Sequence, residues 1–182
     1  DANRVLKLTD EETEIYVSDY AFTGSYWNVK RDIIDYLNPA DIDYKCKIYG
    51  ANWNKIAKIK KCAEGFVLYK DMPKIYRNTK IVIDDANHVT KEYGAVNSRV
   101  FDALAAGCLV MTNGIIGAKE TFDGMLPSFE TKEQFNEILL HYLKNDEERE
   151  ALVAKLQAFV LENHTYDVRA NKLKEILLQF NE

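Results

Sequence analysis

Apolar residues in this chain fall into short unbroken runs, separated by longer stretches in which they recur every three or four positions. EIYVSD (14–19), YKCKIYG (44–50), FVLY (66–69), KIVIDD (80–85) and CLVMT (108–112) read as strands. Between them, WNVKRDIIDYL (27–37) reads as a helix with Val29, Ile33, Ile34 and Leu37 on one stripe, stopped by Asn38 and Pro39. NWNKIAKIKKCA (52–63) reads as a basic amphipathic helix. DMPKIYRNT (71–79) reads as a short one, with Pro73 in the first turn, where a missing N–H does no harm. NSRVFDALAAG (97–107) is a helix opened by Asn97 and Ser98 and broken at Gly107. A short helix near KETF (119–122) and an edge strand MLPSF (125–129) follow. Three amphipathic segments close the chain: 131–144 (Phe135, Ile138, Leu139, Tyr142), 146–161 (Leu152, Leu156, Phe159, Val160) and 168–180 (Leu173, Ile176, Leu177, Phe180).

Strands alternating with helices in this way imply βαβ units and a parallel sheet. Residues 80–85 and 108–112 lack a polar face, as strands covered on both sides do. The expected fold is α/β: a doubly wound parallel sheet of five or six strands with a helical C-terminal section. Residues 1–13, polar and acidic, read as a linker or edge segment, and 14–182 as the domain proper. The start DANRVLKL, with neither initiator methionine nor an apolar signal stretch, reads as a piece of a longer protein.

Charge and cysteine content narrow the partners. A net charge of −5 argues against a duplex-binding surface, so no nucleic acid is expected. No apolar run is long enough to span a bilayer. Cys46, Cys62 and Cys108 show no CxxC spacing; they offer no metal site and fit a reducing, cytoplasmic setting.

In an open α/β sheet, ligands sit at the carboxyl ends of strands. Here those positions carry Gly24, Lys30 and Arg31, the run from Asp84 to His88, and Thr112, Asn113 and Gly114. Gly24 with Lys30 and Arg31 reads either as a tight turn with phosphate-binding cations or as a turn glycine beside a solvated helix face. Asn97 and Ser98 cap the helix that follows. Arg99 and Asp102, three apart, pair on a surface or face a ligand, and the otherwise apolar, small helix favours the ligand. Asp84 and Asp85 are a weak magnesium pair, and His88 and His164 are candidate ligands or bases. G-x-G-x-x-G, G-x-x-x-x-G-K-[ST] and G-x-S-x-G are all absent.

FDALAAGCLVMTN resembles the most characteristic stretch of the GT-B glycosyltransferases, in their nucleotide-sugar-binding C-terminal half. YAFTGSYWNVKRDII (20–34), KDMPKIYRNTKIVID (70–84), NSRVFDALAAGCLVMT (97–112) and NHTYDVRANKL (163–173) are similar to a bacterial branch with CgeB-like and group 1-type transferases. The resemblance implies the Rossmann-like C-terminal half of a GT-B fold, part of a hexosyltransferase-type enzyme, working without metal or cofactor on a UDP-, GDP- or dTDP-sugar. It implies that Asp102 takes the ribose hydroxyls in place of the usual glutamate. It gives Lys30, with Arg31 and Arg99, the pyrophosphate, and makes Thr112 to Gly117 the loop near sugar and base. Gly24, Ser25, His88, Asn97 and Ser98 complete the expected donor site. Ser25 stands where the family has an arginine, and Gly94 where it has an acidic residue, with Glu92 nearby. The resemblance places the acceptor site and the catalytic base in an N-terminal half of the same parent chain. It therefore implies an isolated domain that binds donor without turnover, and it is compatible with peripheral membrane association of the parent. Half of a sugar-nucleotide epimerase and a non-catalytic flavodoxin-like interaction module are the alternatives.

Overall fold

The computed structural model describes residues 7–179. Its centre is a five-stranded, wholly parallel sheet built from β1 (Ser18–Thr23), β2 (Cys46–Tyr49), β3 (Ala63–Gly65), β4 (Thr79–Asp84) and β5 (Leu109–Thr112). The order is β3-β2-β1-β4-β5. The helices are α1 (Asp10–Tyr16), α2 (Asp32–Tyr36), α3 (Met72–Arg77), α4 (His88–Glu92), α5 (Ser98–Ala105), α6 (Ile115–Phe122), α7 (Lys132–Lys144), α8 (Asp146–Asn163) and α9 (Tyr166–Gln179). The crossover from β1 to β2 runs toward one edge of the sheet, and that from β3 to β4 runs back. Right-handed connections therefore put α2 and α3 on opposite faces. α2 packs on α7, while α3, α5 and α8 form the second layer. The doubly wound parallel sheet expected from the alternation is present, with β4 and β5 paired from Ile81↔Leu109 to Asp84↔Thr112. Phe22, Ile81, Val82, Ile83 and the whole of Leu109 to Met111 are fully enclosed between the helix layers.

The edges depart from the sequence reading. Residues 14–19 are not one strand. Thr9 accepts from the Glu12 amide at 3.1 Å and Glu12 returns the bond to the Thr9 amide, a capping box that starts α1; β1 begins only at Ser18. The helix expected over 27–37 shrinks to α2, because Asn28 takes a left-handed backbone (φ 59°) and the chain stays irregular up to Arg31. No α-helix spans 52–63. Asn52 is left-handed (φ 72°), and two 3-10 turns, Trp53–Lys55 and Lys60–Cys62, bury Trp53 and Ile59 completely. Burial of those two side chains overrides helix propensity. β3 lies at Ala63–Gly65, and the apolar run FVLY after it is largely exposed. Residues 125–129 add only an isolated bridge, Thr112↔Ser128.

The three C-terminal segments form α7, α8 and α9 close to their expected bounds. Thr131 and Gln134 box the start of α7, which buries Phe135, Leu139 and Leu143. The stripe expected on α9 is different: Leu173, Ile176 and Leu177 are exposed, and Phe180 lies outside the described residues. Among the described residues, no helix is long and apolar enough to cross a membrane.

Candidate functional site

Strand order reverses between β1 and β4, and at such a point the two crossovers diverge and leave a crevice beyond the strand ends. A cleft of about 330 Å³ opens there. Gly24, Ser25, Asn97, Ser98, Arg99 and Asp102 line it, and Phe66, Tyr69, Met72 and Tyr76 form its opposite wall. A second hollow of about 220 Å³ continues it between α3 and α5, sharing Tyr69, Met72, Tyr76 and Asp102.

α5 is placed by its own sequence. Val100, Ala103 and Leu104 are buried, which turns the Ser98–Asp102–Ala105 stripe outward. Asn97 caps the helix, its Oδ1 accepting from the Arg99 amide at 2.9 Å. The Ser98 amide is one of the orphan donors that a helix start leaves toward the cleft.

The β1 side is gripped from below. Trp53 Nε1 donates to the Gly24 carbonyl at 2.6 Å, and the Ala51 amide donates to Ser25 Oγ at 3.1 Å. Gly50 has φ +138°, and a Cβ there would lie 2.2 Å from the Gly24 oxygen. Gly24 has φ +148°, and its own Cβ would meet Arg99 Nη2 at 2.9 Å. Only glycine lets these two strand ends and the guanidinium meet.

Behind the cleft lies a network of alternating charge. Arg99 Nη1 pairs with Asp84 Oδ1 at 2.7 Å, its Nε donates to Thr23 Oγ1 at 3.1 Å, and its guanidinium lies 4.8 Å from the Phe22 ring centre. Thr112 Oγ1 donates to Asp84 Oδ2 at 2.7 Å. Arg31 Nε pairs with Asp85 Oδ2 at 2.9 Å, and its Nη2 donates to the Asp85 carbonyl at 2.9 Å. Asn113 Nδ2 donates to Asp85 Oδ1 at 2.7 Å and to Asp32 Oδ2 at 2.9 Å, and Lys91 pairs with Asp32 at 2.5 Å. All four oxygens of Asp84 and Asp85 thus accept from protein donors. Burial pushes the Asp85 carboxyl above its ordinary range, against the pull of Arg31. Among the described residues, no three His, Cys, Asp or Glu side chains gather as a metal site.

Burial likewise raises Asp102, partly offset by the Tyr69 hydroxyl hydrogen-bonded to it. That carboxylate and burial together raise Tyr69 in return. Tyr76, deeper in the wall, is pushed up to about 12 by burial, although the Thr23 hydroxyl bonded to it acts in the opposite direction.

Of the residues singled out in the sequence, Gly24, Ser25, Asn97, Ser98, Arg99 and Asp102 come together in the cleft. Thr112 and Asn113 stand one layer behind it, and Gly114 caps α6, its amide donating to Thr112 Oγ1 at 3.0 Å. Arg31 is held back by Asp85 and does not line the cleft. Lys30 is exposed on the loop before α2, and His88 is exposed at the first position of α4. Phe66 and Tyr69 were missed because their apolar run reads as a strand; the signal available was Gly65, a strand-ending glycine just before them.

A family model described as glycosyl transferase-like matches residues 30–175. Among solved structures, the chain is similar to the crystal structure of TarM, with 15% identity and a TM-score of 0.66, over 92% of this chain and 36% of that one. It is also similar to the C-terminal CMP-Kdo binding domain of WaaA from Acinetobacter baumannii, with 10% identity and a TM-score of 0.52, over 82% of this chain and 93% of that one. At such identities the likeness speaks for the fold. The chain spans about a third of TarM, and none of the curated proteins matches it.

Proposed function

We propose that this chain, which belongs to the glycosyl transferase-like family, holds the nucleotide-diphosphate sugar of a sugar transferase. The observation that carries the reading is the gathering of Gly24, Ser25, Ser98, Arg99 and Asp102 in one cleft at the β1–β4 crevice. There the diphosphate lies against the start of α5, where the Ser98 amide and Arg99 Nη2 face it. The ribose hydroxyls donate to Asp102, displacing the Tyr69 hydroxyl, and the base lies along the Phe66–Tyr69 wall.

When the sugar leaves, negative charge grows on the diphosphate. Donors fixed beforehand stabilise that charge without having to reorganise. Arg99 meets this condition, since Asp84, Thr23 and the Phe22 ring hold it from three sides. Lys30, on a long flexible stem, supplies a second cation on binding, and Arg31 contributes through its field. Thr112, Asn113 and Gly114 hold the loop before α6, and His88 stands on the sugar side. The acceptor and the catalytic base belong to an N-terminal half of the parent chain, so this domain alone binds donor without turnover. We place the parent in the bacterial, cytoplasmic CgeB-like and group 1-type branch, with a UDP-, GDP- or dTDP-sugar as donor and no metal.

Calorimetry with a panel of nucleoside diphosphates and their 2′,3′-dideoxy analogues tests the reading. One diphosphate should bind, and its dideoxy analogue should bind at least tenfold more weakly. Equal affinity removes the ribose role of Asp102, and no binding across the panel overturns the donor-site assignment.

A further inference from the structure

His164, a candidate ligand or base in the sequence, takes no part in the donor cleft. It stands at the corner between α8 and α9, where its amide donates to the Val160 carbonyl at 2.8 Å. Its ring is wedged among three phenylalanines, with ring centres 5.1 Å from Phe101, 5.3 Å from Phe159 and 6.1 Å from Phe122. Arg169 of α9 lies across the face of Phe101, its guanidinium carbon 4.3 Å from the ring centre, which ties the start of α9 to α5. Between this corner and α5 opens a hollow of about 580 Å³. That is the size of a small-molecule site, roughly 300–1,000 Å³. Ser98 and Asp102 line this hollow and the donor cleft alike, so an occupant here adjoins the donor.

The lining is of two kinds. Val96, Val160 and Leu161 are apolar, whereas Asp167 and Arg169 bring charge. Among the described residues, neither the His164 ring nor the side chains of Asp167 and Arg169 have a hydrogen bond or ion pair, so their polar capacity is open to a ligand. Thr165 Oγ1 accepts from the Val168 amide at 3.3 Å and keeps its own hydrogen to donate. Burial, with Arg169 and Lys172 nearby, holds the His164 imidazole below its ordinary range, so the ring is neutral near pH 7. The carboxylates of Asp102 and Asp167 then outnumber the Arg169 guanidinium, which disfavours an anionic occupant.

Resting on the donor-site reading, we infer that this hollow holds one end of the acceptor, an uncharged saccharide, and that this half of the parent thus shares acceptor binding with the N-terminal half. A sugar hydroxyl both donates and accepts, so it can give a hydrogen bond to Asp167 while taking one from Arg169. The neutral His164 ring serves a further hydroxyl in either role. The C–H face of a sugar ring lies on Val96, Val160 and Leu161. Asp102 stays with the donor's ribose and forms the partition between the two ligands.

The probes are maltose, cellobiose, lactose, chitobiose and cellobiouronic acid, each titrated into the chain without nucleotide. The readout is the imidazole signals of its three histidines in a proton–carbon NMR spectrum, with His164 assigned through His164→Gln. At least one neutral disaccharide should shift the His164 signals saturably while those of His141 stay in place. Arg169→Gln and Asp167→Asn, both at exposed positions of α9, should each weaken that binding about tenfold, as expected for the loss of a hydrogen bond to a charged group. No saturable shift at His164, undiminished affinity in both variants, or a preference for cellobiouronic acid over cellobiose overturns the site. Since no nucleotide is present, such a failure leaves the donor cleft to be judged by the nucleoside diphosphate panel. A saccharide that binds while no diphosphate does overturns the acceptor role.

Discussion

Replacing Arg99 by methionine tests whether the cleft's central cation is a structural partner as well as a ligand contact. Its side chain is 11% exposed and that of Asp84 is 3% exposed, so the pair sits where water cannot take over for a missing charge. Methionine keeps the contact with the Phe22 ring but removes the bonds at 2.7 Å to Asp84 and 3.1 Å to Thr23. Asp84 would then keep only the Thr112 hydroxyl, at 2.7 Å, as a side-chain donor. Breaking a buried pair on one side costs about 3–5 kcal/mol, mostly the penalty of the stranded charge. Converting Asp84 to asparagine in the same molecule removes that charge, so Arg99→Met/Asp84→Asn should recover about 1–3 kcal/mol of the loss, the size of coupling expected between contacting residues. Urea unfolding of the parent, both single variants and the double variant provides the cycle. Nucleoside diphosphate binding should stay weak in the double variant, because stability returns and the ligand's cation does not. An Arg99→Met cost within about 1 kcal/mol, as for a solvated surface pair, would refute the reasoning.

Asp102→Asn should raise stability at neutral pH while weakening nucleotide binding. The folded protein holds the Asp102 carboxyl above its unfolded value, so its contribution is most favourable below the unfolded value of about 3.9 and is lost as pH rises through the raised folded value. The gap between variant and parent should therefore vanish below about pH 4 in denaturation curves; a gap independent of pH would contradict it. Gly50→Ala should cost well over about 1 kcal/mol, since its Cβ would meet the Gly24 oxygen at 2.2 Å and its φ of +138° disfavours a side chain. A melting temperature equal to the parent's would show that the two strand ends can part. Lys30→Ala should weaken nucleoside diphosphate binding by about 1 kcal/mol, less at high salt, and leave bare nucleoside binding unchanged. Equal effects on both ligands would return Lys30 to the solvent.

The last two strands and the C-terminal helices were the parts of the fold most legible in the sequence. β4 and β5 are apolar without interruption because helices lie on either side, and α5 announces itself by Asn97 at its start and Gly107 after its end. The edges were harder to read. β3 is Ala-Glu-Gly and has no apolar run, so the neighbouring FVLY, which forms part of the cleft wall, took its place. α1 did carry its signal in Thr9 and Glu12, but EIYV masked it with a strand-like run. Within the site, the start of α5 and the turn at Gly24 were legible as local chemistry. The partners of Arg31 and Arg99 were not: Asp85 lies 54 residues from the one and Asp84 15 from the other, and no periodicity links such distances.

Asp84 and Asp85 are adjacent, yet they face opposite sides of the sheet. Asp84 holds Arg99 of α5, and Asp85 holds Arg31 and the Ile33 amide at the start of α2. Two neighbouring residues at one strand end therefore tie down both helix layers. This imposes an order in time on refolding. β4 must settle between β1 and β5, and the 54-residue closure to Arg31 must be complete, before both carboxylates have their partners. Helices such as α7 and α8, whose bonds are local, form without waiting for either event. Recovery of the helical signal should thus precede recovery of the cleft, so that competence to bind is the last property a refolding chain acquires.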